Sequence, residues 1–449
     1  MRRGLMLAAG LALAAGLLYL TPRRVMGCLV SLARFFTRPK LDSRSGSGPG
    51  SGVLPAAAGF TGGNRVRLLV NGDEILPVLL ERIAGARRTI RWQVMIFSPD
   101  ETGSQLFHAL AEAARRGVRV QLSFDISQSI DPAELLRFSA RAAPTRQKLA
   151  ELIQTLRQAG GEVRFSAAGF YKSNAYLSRG TEQILRGIRE NTCNPLNHYD
   201  HRKLYIFDDG AAVIGGVNVA KQYLYHEAGK PETYFDSAAL IEGPVVGQII
   251  DEFNWKWEAL GGVPIESGPA GEFPEGLPVQ FMVQRPGFPQ IGTCYFELVR
   301  EAQRELWIAN PFVSYQPALD ALQDAARRGV RVVVVFPNAG QAMGIPQRLF
   351  QESAGGLIDA GVELYFNDLR LAHTKMIVVD RQLALFGSFN LNYRSFFHDL
   401  EDAVLVRDET LAGEVIERVF LPYLRISRRA FQPLFSRRRA VHWLVRPFS

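Results

Sequence analysis

The chain has 449 residues, 47% of them hydrophobic, enough for a large buried core and two or three domains. Its formal net charge of +8 sits at the two ends: positions 1–50 hold eight Lys/Arg against one Asp, and positions 419–449 hold seven Arg and no acid. The body between is therefore net acidic, the reverse of a nucleic-acid channel, and three widely spaced cysteines (Cys28, Cys193, Cys294) exclude a disulfide framework and a cysteine metal cluster.

Arg2 and Arg3 precede a charge-free run, Gly4 to Pro22, rich in Leu and Ala. At about 1.5 Å per residue it reaches roughly one hydrocarbon thickness, so positions 1–24 are expected to be a transmembrane or signal-anchor helix with Tyr19 at an interface. A cleaved signal peptide is the alternative, disfavoured because no small-x-small site precedes Arg23-Arg24. Positions 25–64 read as an interfacial segment, with Phe35 and Phe36 toward lipid, and then a Gly/Ser/Pro-rich linker. Six basic residues follow the apolar run against two before it, which places the body on the cytoplasmic side of a cell membrane by the positive-inside rule.

A folded body is expected from Arg65. A helix over Ile75 to Arg88 leads to a strand, Thr89 to Phe97, and a second helix carries Leu106, Phe107 and Leu110. Next comes Ala114-Arg-Arg-Gly-Val-Arg-Val120 and an apolar strand, Gln121 to Phe124. The same phrase returns at Ala326 to Val332, after Leu319 and Leu322 and before a strand at Val333 to Phe336. Tyr295 to Arg304 and Glu305 to Val313 repeat the helix and strand upstream of it. The alternation implies an α/β fold of two halves, 65–262 and 277–424, each a largely parallel sheet covered by helices. The first half carries extra residues near Ser166 to Asn197, including Phe170, Tyr171, Tyr176 and Leu177. They are either a lid or acyl-chain contact surface, or an excursion without a substrate role.

The strongest signal comes next and occurs twice. His201-Arg-Lys203-Leu-Tyr-Ile-Phe-Asp208 is followed by Gly215-Gly216-Val-Asn218, and His373-Thr-Lys375-Met-Ile-Val-Val-Asp380 by Gly387-Ser388-Phe-Asn390. His, Lys, Asp and Asn of the second copy each lie 172 residues beyond those of the first (373 against 201). His and Lys two apart on an extended chain point the same way. The apolar runs Leu204 to Phe207 and Met376 to Val379 read as buried strands, and short strands Ala211 to Ile214 and Leu383 to Phe386 return to the small residues and Asn. An imidazole, an ammonium and a carboxamide beside a tight backbone suit a phosphate: Lys supplies charge, Asn donates, and His attacks phosphorus or moves a proton. The alternative is a structural duplication whose basic strands merely expose their histidines.

The paired motif resembles the phospholipase D superfamily, and the second copy with its sequel, Asn390-Leu-Asn-Tyr-Arg394-Ser395-Phe-Phe-His-Asp-Leu-Glu401, resembles the bacterial cardiolipin synthases within it. The similarity runs from about Arg65 to Leu424. It implies two pseudo-symmetric α/β/α sandwich halves meeting at one cleft, and a covalent phosphohistidine. It further implies His201 as nucleophile, His373 as general acid and base, and Glu401 and Asp236 as the carboxylates that orient the imidazoles. Lys203 and Lys375, with Asn218, Asn390, Ser388 and Gly216, are expected at the substrate phosphate, so that neither a metal nor a cofactor is needed. Asp208 and Asp380 complete the catalytic motif, although their place after the strand suits turn hydrogen bonding.

The chain after Phe420, with 425–449 as its main segment, is expected to be a basic aromatic tail on an anionic membrane surface, its arginines interleaved with Tyr423, Phe431, Phe435, Trp443 and Phe448; a solvated tail is the alternative. The function implied is a phosphatidyltransferase that makes cardiolipin from phosphatidylglycerol. Head-group hydrolysis through the same intermediate is the alternative. A membrane-tethered nuclease and a non-catalytic scaffold are disfavoured by the acidic body and the two intact motifs; no nucleic-acid partner is expected.

Overall fold

The computed structural model describes residues 59–125, 129, 143–166, 199–225, 233–285, 287–337, 354–367 and 371–431. The expected anchor, most of the linker, the insertion after Ser166, Cys28, Cys193 and the tail beyond Phe431 lie outside them. No helix among the described residues is long and apolar enough to cross a membrane.

The first half opens with β1 (Thr61–Val70). Ile75, Val78, Leu79 and Ile83 recur at helical spacing and bury one face of α1 (Asn71–Gly85). After β2 (Thr89–Val94) comes α2 (Glu101–Arg115), capped by the Asp100 carboxylate, which accepts from the Gly103 N–H. Gly117 takes a φ of +92° in the turn into β3 (Arg119–Phe124), a conformation glycine adopts without strain. This half ends with α3 (Ala143–Gln158), β4 (Glu162–Phe165), β5 (Leu204–Phe207), β6 (Ala211–Gly215), α4 (Lys221–Leu224), β7 (Ser237–Glu242) and α5 (Val245–Ala259).

The second half repeats the plan with β8 (Leu277–Arg285), a short β9 (Phe288–Pro289), α6 (Gln290–Glu301), β10 (Glu305–Ala309), α7 (Gln316–Arg327), β11 (Arg331–Pro337), a helical turn over 354–359, β12 (Glu363–Asn367), β13 (Met376–Val379) and β14 (Leu383–Gly387). It closes with α8 (Tyr393–Phe397), β15 (Glu401–Arg407), α9 (Glu409–Val415), a π-helical turn (Ile416–Phe420), α10 (Leu421–Arg425) and β16 (Ser427–Arg429).

The strands form one continuous sheet in the order β16-β12-β11-β10-β13-β14-β15-β8-β1-β7-β6-β5-β2-β3-β4. Its centre is the antiparallel pair β1–β8, with Thr61 opposite Val279 and Asn64 opposite Leu277. Parallel pairing is confined to β2-β3-β4 and β10-β11-β12; the named strands otherwise pair antiparallel. The expected largely parallel sheet is corrected to a mixed one. Parallel neighbours need a crossover such as a helix, whereas β5–β6 and β13–β14 are hairpins, which are necessarily antiparallel. A second correction concerns the C-terminus. Ser427–Arg429 pairs with β12 as an edge strand, and Tyr423 is 2% exposed against Phe235, so neither belongs to a tail.

Strand alternation divides the interior into three cores. Tyr205 and Phe207 of β5 pack under α1–α3, and Ile377 and Val379 of β13 under α6 and α7. The opposite residues, Leu204 and Ile206, Met376 and Val378, share a third core with α5 and α9 that runs across both halves. Extending that alternation backward puts His201, Lys203, His373 and Lys375 on the faces of the two separate cores, and Arg202 and Thr374 on the face of the shared one.

Candidate active site

The two histidine segments approach each other across the pseudo-dyad. The His201 N–H donates to the Leu400 carbonyl (2.9 Å) and the Leu400 N–H to the Tyr199 carbonyl (2.9 Å). The same exchange recurs in mirror form, from the His373 N–H to the Phe235 carbonyl (2.8 Å) and from the Phe235 N–H to the Leu371 carbonyl (2.8 Å). Leu400 precedes Glu401 and Phe235 precedes Asp236, so this backbone lattice carries each half's carboxylate into the other half's motif. Glu401 Oε2 lies 2.8 Å from His201 Nδ1, and Asp236 Oδ2 lies 2.8 Å from His373 Nδ1. Both carboxylates are fully buried.

This crossing makes one site of two motifs. Lys203 and Lys375 each donate to the carbonyl of the histidine two residues before them, and Lys375 Nζ also lies 3.0 Å from both ring nitrogens of His373. Burial holds His201 well below its usual value, with Lys203 and Lys375 adding to the effect. Burial and then Lys375 hold His373 at about 3, against the pull of Asp236. Both imidazoles are neutral near pH 7. Each uses Nδ1–H on its carboxylate, which leaves Nε2 as the basic nitrogen. Burial lowers Lys375 to about 7 and pushes Glu401 up to about 7.

Ser388 and Gly216 stand elsewhere than expected. The Ser388 hydroxyl donates to Glu401 Oε2 (2.5 Å), and that of Ser395 to Glu401 Oε1 (2.5 Å). Ser388 is therefore committed to the carboxylate behind His201. Gly216 occupies the matching place behind His373, where a Cβ would stand 2.5 Å from Asp236 Oδ1 and 3.0 Å from the His373 carbonyl. A shorter carboxylate held closer needs glycine, and a longer one leaves room for a serine that braces it. Asn218 Oδ1 accepts from the Ile96 N–H (3.1 Å), whereas the buried Asn390 Oδ1 has no partner among the described residues.

Asp208 and Asp380 are removed from the catalytic set. Each follows a strand of four residues, about 13 Å at about 3.3 Å per residue, and so sits at the far end from its histidine. Asp208 accepts from the N–H groups of Arg87 (2.8 Å), Arg88 (2.7 Å) and Thr89 (2.9 Å). Asp380 accepts from those of Gln303 (2.9 Å), Arg304 (2.7 Å) and Glu305 (2.9 Å). Both adopt positive φ, +48° and +51°, and so fix a turn to the start of β2 or β10. Asp380→Ala is expected to cost about 2–3 kcal/mol of stability by stripping three N–H groups of their acceptor, with kcat retained below the transition; thermal unfolding beside an activity assay checks this.

The sequence reading missed the surroundings that distinguish the two histidines. Tyr223 meets the His373 ring edge-on at 4.9 Å between centroids, and Tyr234 stacks on it at 5.9 Å. His201 instead lies near the ion pair of the half-buried Arg394 with the buried Asp399 (2.7 Å). Ser395 had a signal, because it lies five residues after Asn390 inside the second motif's sequel. Cys294 is buried, and burial pushes its thiol up to about 12, which makes it inert.

The family described as "Cardiolipin synthase, PLD-like domain" matches residues 79–257 and 295–420. Cardiolipin synthase A of Pseudomonas fluorescens is 29% identical over 381 residues, covering 82% of this chain and 69% of that protein. Its counterpart in Pseudomonas aeruginosa is 30% identical over 363 residues, covering 78% and 65%. The major cardiolipin synthase of Bacillus subtilis is 28% identical over 390 residues, covering 84% and 72%. The chain thus spans about two thirds of the length of these relatives. Among solved structures, the phosphatidylserine synthase of Haemophilus influenzae has the same fold, with a TM-score of 0.58 at 15% identity, covering 83% of this chain and 90% of that one.

Proposed function

The chain belongs to the family of cardiolipin synthases with phospholipase D-like domains, and from that premise we propose that it is a phosphatidyltransferase making cardiolipin from two phosphatidylglycerol molecules. The observation that carries the reading is the crossed pair of carboxylates, because it puts two neutral imidazoles, each with Nε2 basic, around one buried cluster of lysines.

The phosphodiester of the first phosphatidylglycerol lies between Lys203 and Lys375, with the Asn218 and Asn390 amides as further donors. His201 Nε2 attacks phosphorus, and the bond from phosphorus to the glycerol head-group oxygen breaks. His373, protonated because the anion's charge raises its affinity for a proton, gives that proton to the departing oxygen. The product is phosphatidyl-His201 and free glycerol. A hydroxyl of the second phosphatidylglycerol then loses its proton to His373 and attacks phosphorus, the phosphorus–nitrogen bond breaks, and cardiolipin leaves. Burial strengthens both lysines' hold on the developing charge. The body works at an anionic bilayer, on the cytoplasmic face of a bacterial cell membrane, tethered by the apolar stretch near the N-terminus.

Lipid mass spectrometry on protein in mixed micelles tests this. Phosphatidylglycerol alone is expected to yield cardiolipin and glycerol in equal amounts, lost in His201→Ala and His373→Ala. Phosphatidic acid without cardiolipin would replace the transferase reading with a hydrolase, and no lipid turnover would overturn both.

A further inference from the structure

The backbone around the two histidines repeats closely enough to match residue with residue. The Tyr234 N–H donates to the Gln222 carbonyl (2.6 Å), and the Asp399 N–H to the Arg394 carbonyl (3.0 Å). Arg394 lies 172 positions beyond Gln222, the offset of the repeat. Tyr234 and Asp399 each stand two residues before the carboxylate that orients a histidine, Asp236 or Glu401. By the same offset Tyr223 of α4 matches Ser395 of α8. The two tyrosines at His373 therefore occupy the places that a serine and an aspartate hold at His201.

What fills those places differs in kind. On the His201 side both side chains are committed to polar partners. Ser395 donates to Glu401 Oε1 (2.5 Å), while Asp399 accepts from Arg394 Nη2 (2.7 Å) and from the Tyr199 N–H (3.1 Å). On the His373 side three rings meet one another. Tyr223 crosses His373 at 79° and Tyr234 at 84°, with 4.9 Å between centroids in each pair. Tyr234 lies within 25° of the His373 plane at 5.9 Å. Burial pushes both phenols up, so neither carries charge near neutral pH. The backbone demands no aromatic residue at either place, since the other half closes the same turn with Ser395 and Asp399.

We infer that Tyr223 and Tyr234 form an aromatic wall beside His373 that selects an alcohol over water as the phosphatidyl acceptor. The inference rests on the phosphatidyl transfer proposed above, in which His373 serves both the oxygen that leaves phosphorus and the one that enters. With either acceptor the O–H proton passes to His373 Nε2, an oxygen–phosphorus bond forms and the phosphorus–nitrogen bond to His201 breaks. An alcohol then gives a phosphodiester, and water gives phosphatidic acid. Water brings two O–H groups. Nε2 takes one, and beside the rings the other is left without an acceptor of ordinary strength. An alcohol has carbon in place of that second hydrogen, and its methylenes pack on the aromatic surface. His201 needs no such wall, because it bonds to phosphorus and never receives the acceptor's proton.

The ratio of alcohol to water products reads the wall directly, because both products arise from one intermediate. The full chain in mixed micelles receives a phosphatidyl ester of p-nitrophenol in water containing 1-propanol. Tyr234→Ala is expected to lower the ratio of phosphatidylpropanol to phosphatidic acid about tenfold, and Tyr234→Phe, which keeps the ring, to preserve it. A side chain that only held His373 in place would, when removed, slow both products alike; an unchanged ratio in Tyr234→Ala therefore overturns the inference. A ratio that falls equally in Tyr234→Phe would assign the effect to the hydroxyl and overturn it too. Should Tyr234→Ala fail to fold, Tyr234→Gln decides. It puts a hydrated side chain of similar reach beside His373 and is expected to lower the ratio by the same factor, an unchanged ratio again counting against the wall. Wild type that releases no p-nitrophenolate would refute phosphatidyl transfer itself. Release without cardiolipin synthesis from phosphatidylglycerol would refute only the proposed substrate and leave the ratio as the test.

Discussion

In His373→Ala, a phosphatidyl ester of p-nitrophenol is expected to release one equivalent of p-nitrophenolate in a burst and then stop. In His201→Ala it is expected to release none. The leaving group carries its negative charge unaided, so it needs no proton from residue 373, and Nε2 of His201 can still displace it. The resulting phosphatidyl-His201 then persists, because an entering hydroxyl has lost the base that would deprotonate it. Either variant lowers turnover of the natural glycerol ester by about 10³-fold or more, since both the nucleophile and the acid are then required. The trapped species is an acid-labile, base-stable adduct whose mass on the peptide carrying residue 201 identifies the nucleophile. A burst in His201→Ala, with the adduct on His373, would reverse the two roles without disturbing the fold.

Glu401→Gln is expected to behave as a defect of the first motif although it lies in the second half, and Asp236→Asn as a defect of the second motif although it lies in the first. The reason is the crossing: Glu401 Oε2 takes the Nδ1 proton of His201 and Asp236 Oδ2 that of His373, each at 2.8 Å. An amide at either place can present N–H to Nδ1, which forces the ring proton onto Nε2 and removes the lone pair that attacks phosphorus or accepts a proton. A loss of about 10³- to 10⁴-fold in kcat follows, the size seen when the carboxylate of a serine protease triad becomes an amide. In the p-nitrophenyl assay Glu401→Gln is expected to abolish the burst and Asp236→Asn to retain it. The opposite pairing would show that each carboxylate serves the histidine of its own half. Asp236→Asn also tests the glycine at 216, because the amide must fit where a Cβ would stand 2.5 Å from Oδ1.

Much of the site was legible because the chemistry is written twice. His201, Lys203 and Asn218 and their copies at 373, 375 and 390 stand in register, and the apolar runs after them become β5 and β13 within the bounds read from the residues. The carboxylates at 236 and 401 were reached only through resemblance, since neither lies near its histidine in sequence. The pairing that joins the halves went unread. β1 and β8 lack a shared phrase, and β1 opens on Thr-Gly-Gly-Asn, which reads as a turn. The parallel character of the sheet was overread because strand-helix-strand units dominate the pattern while the hairpins are short. Tyr423 and Ser427–Arg429 were assigned to a tail because arginine and aromatic residues mark a solvated surface as readily as an edge strand.

The sequence by itself determined that the fold is duplicated, that each copy supplies an imidazole, an ammonium and a carboxamide, and that apolar strands carry them. These follow from short-range spacing, which a strand's two-residue period converts directly into which side chains point together. Only the tertiary structure decided that the carboxylates cross, that Ser388 donates to Glu401, and which N–H groups Asp208 and Asp380 tie into their turns. The crossing and the two aspartate turns depend on contacts 75 to 200 residues apart, and local spacing carries no record of them.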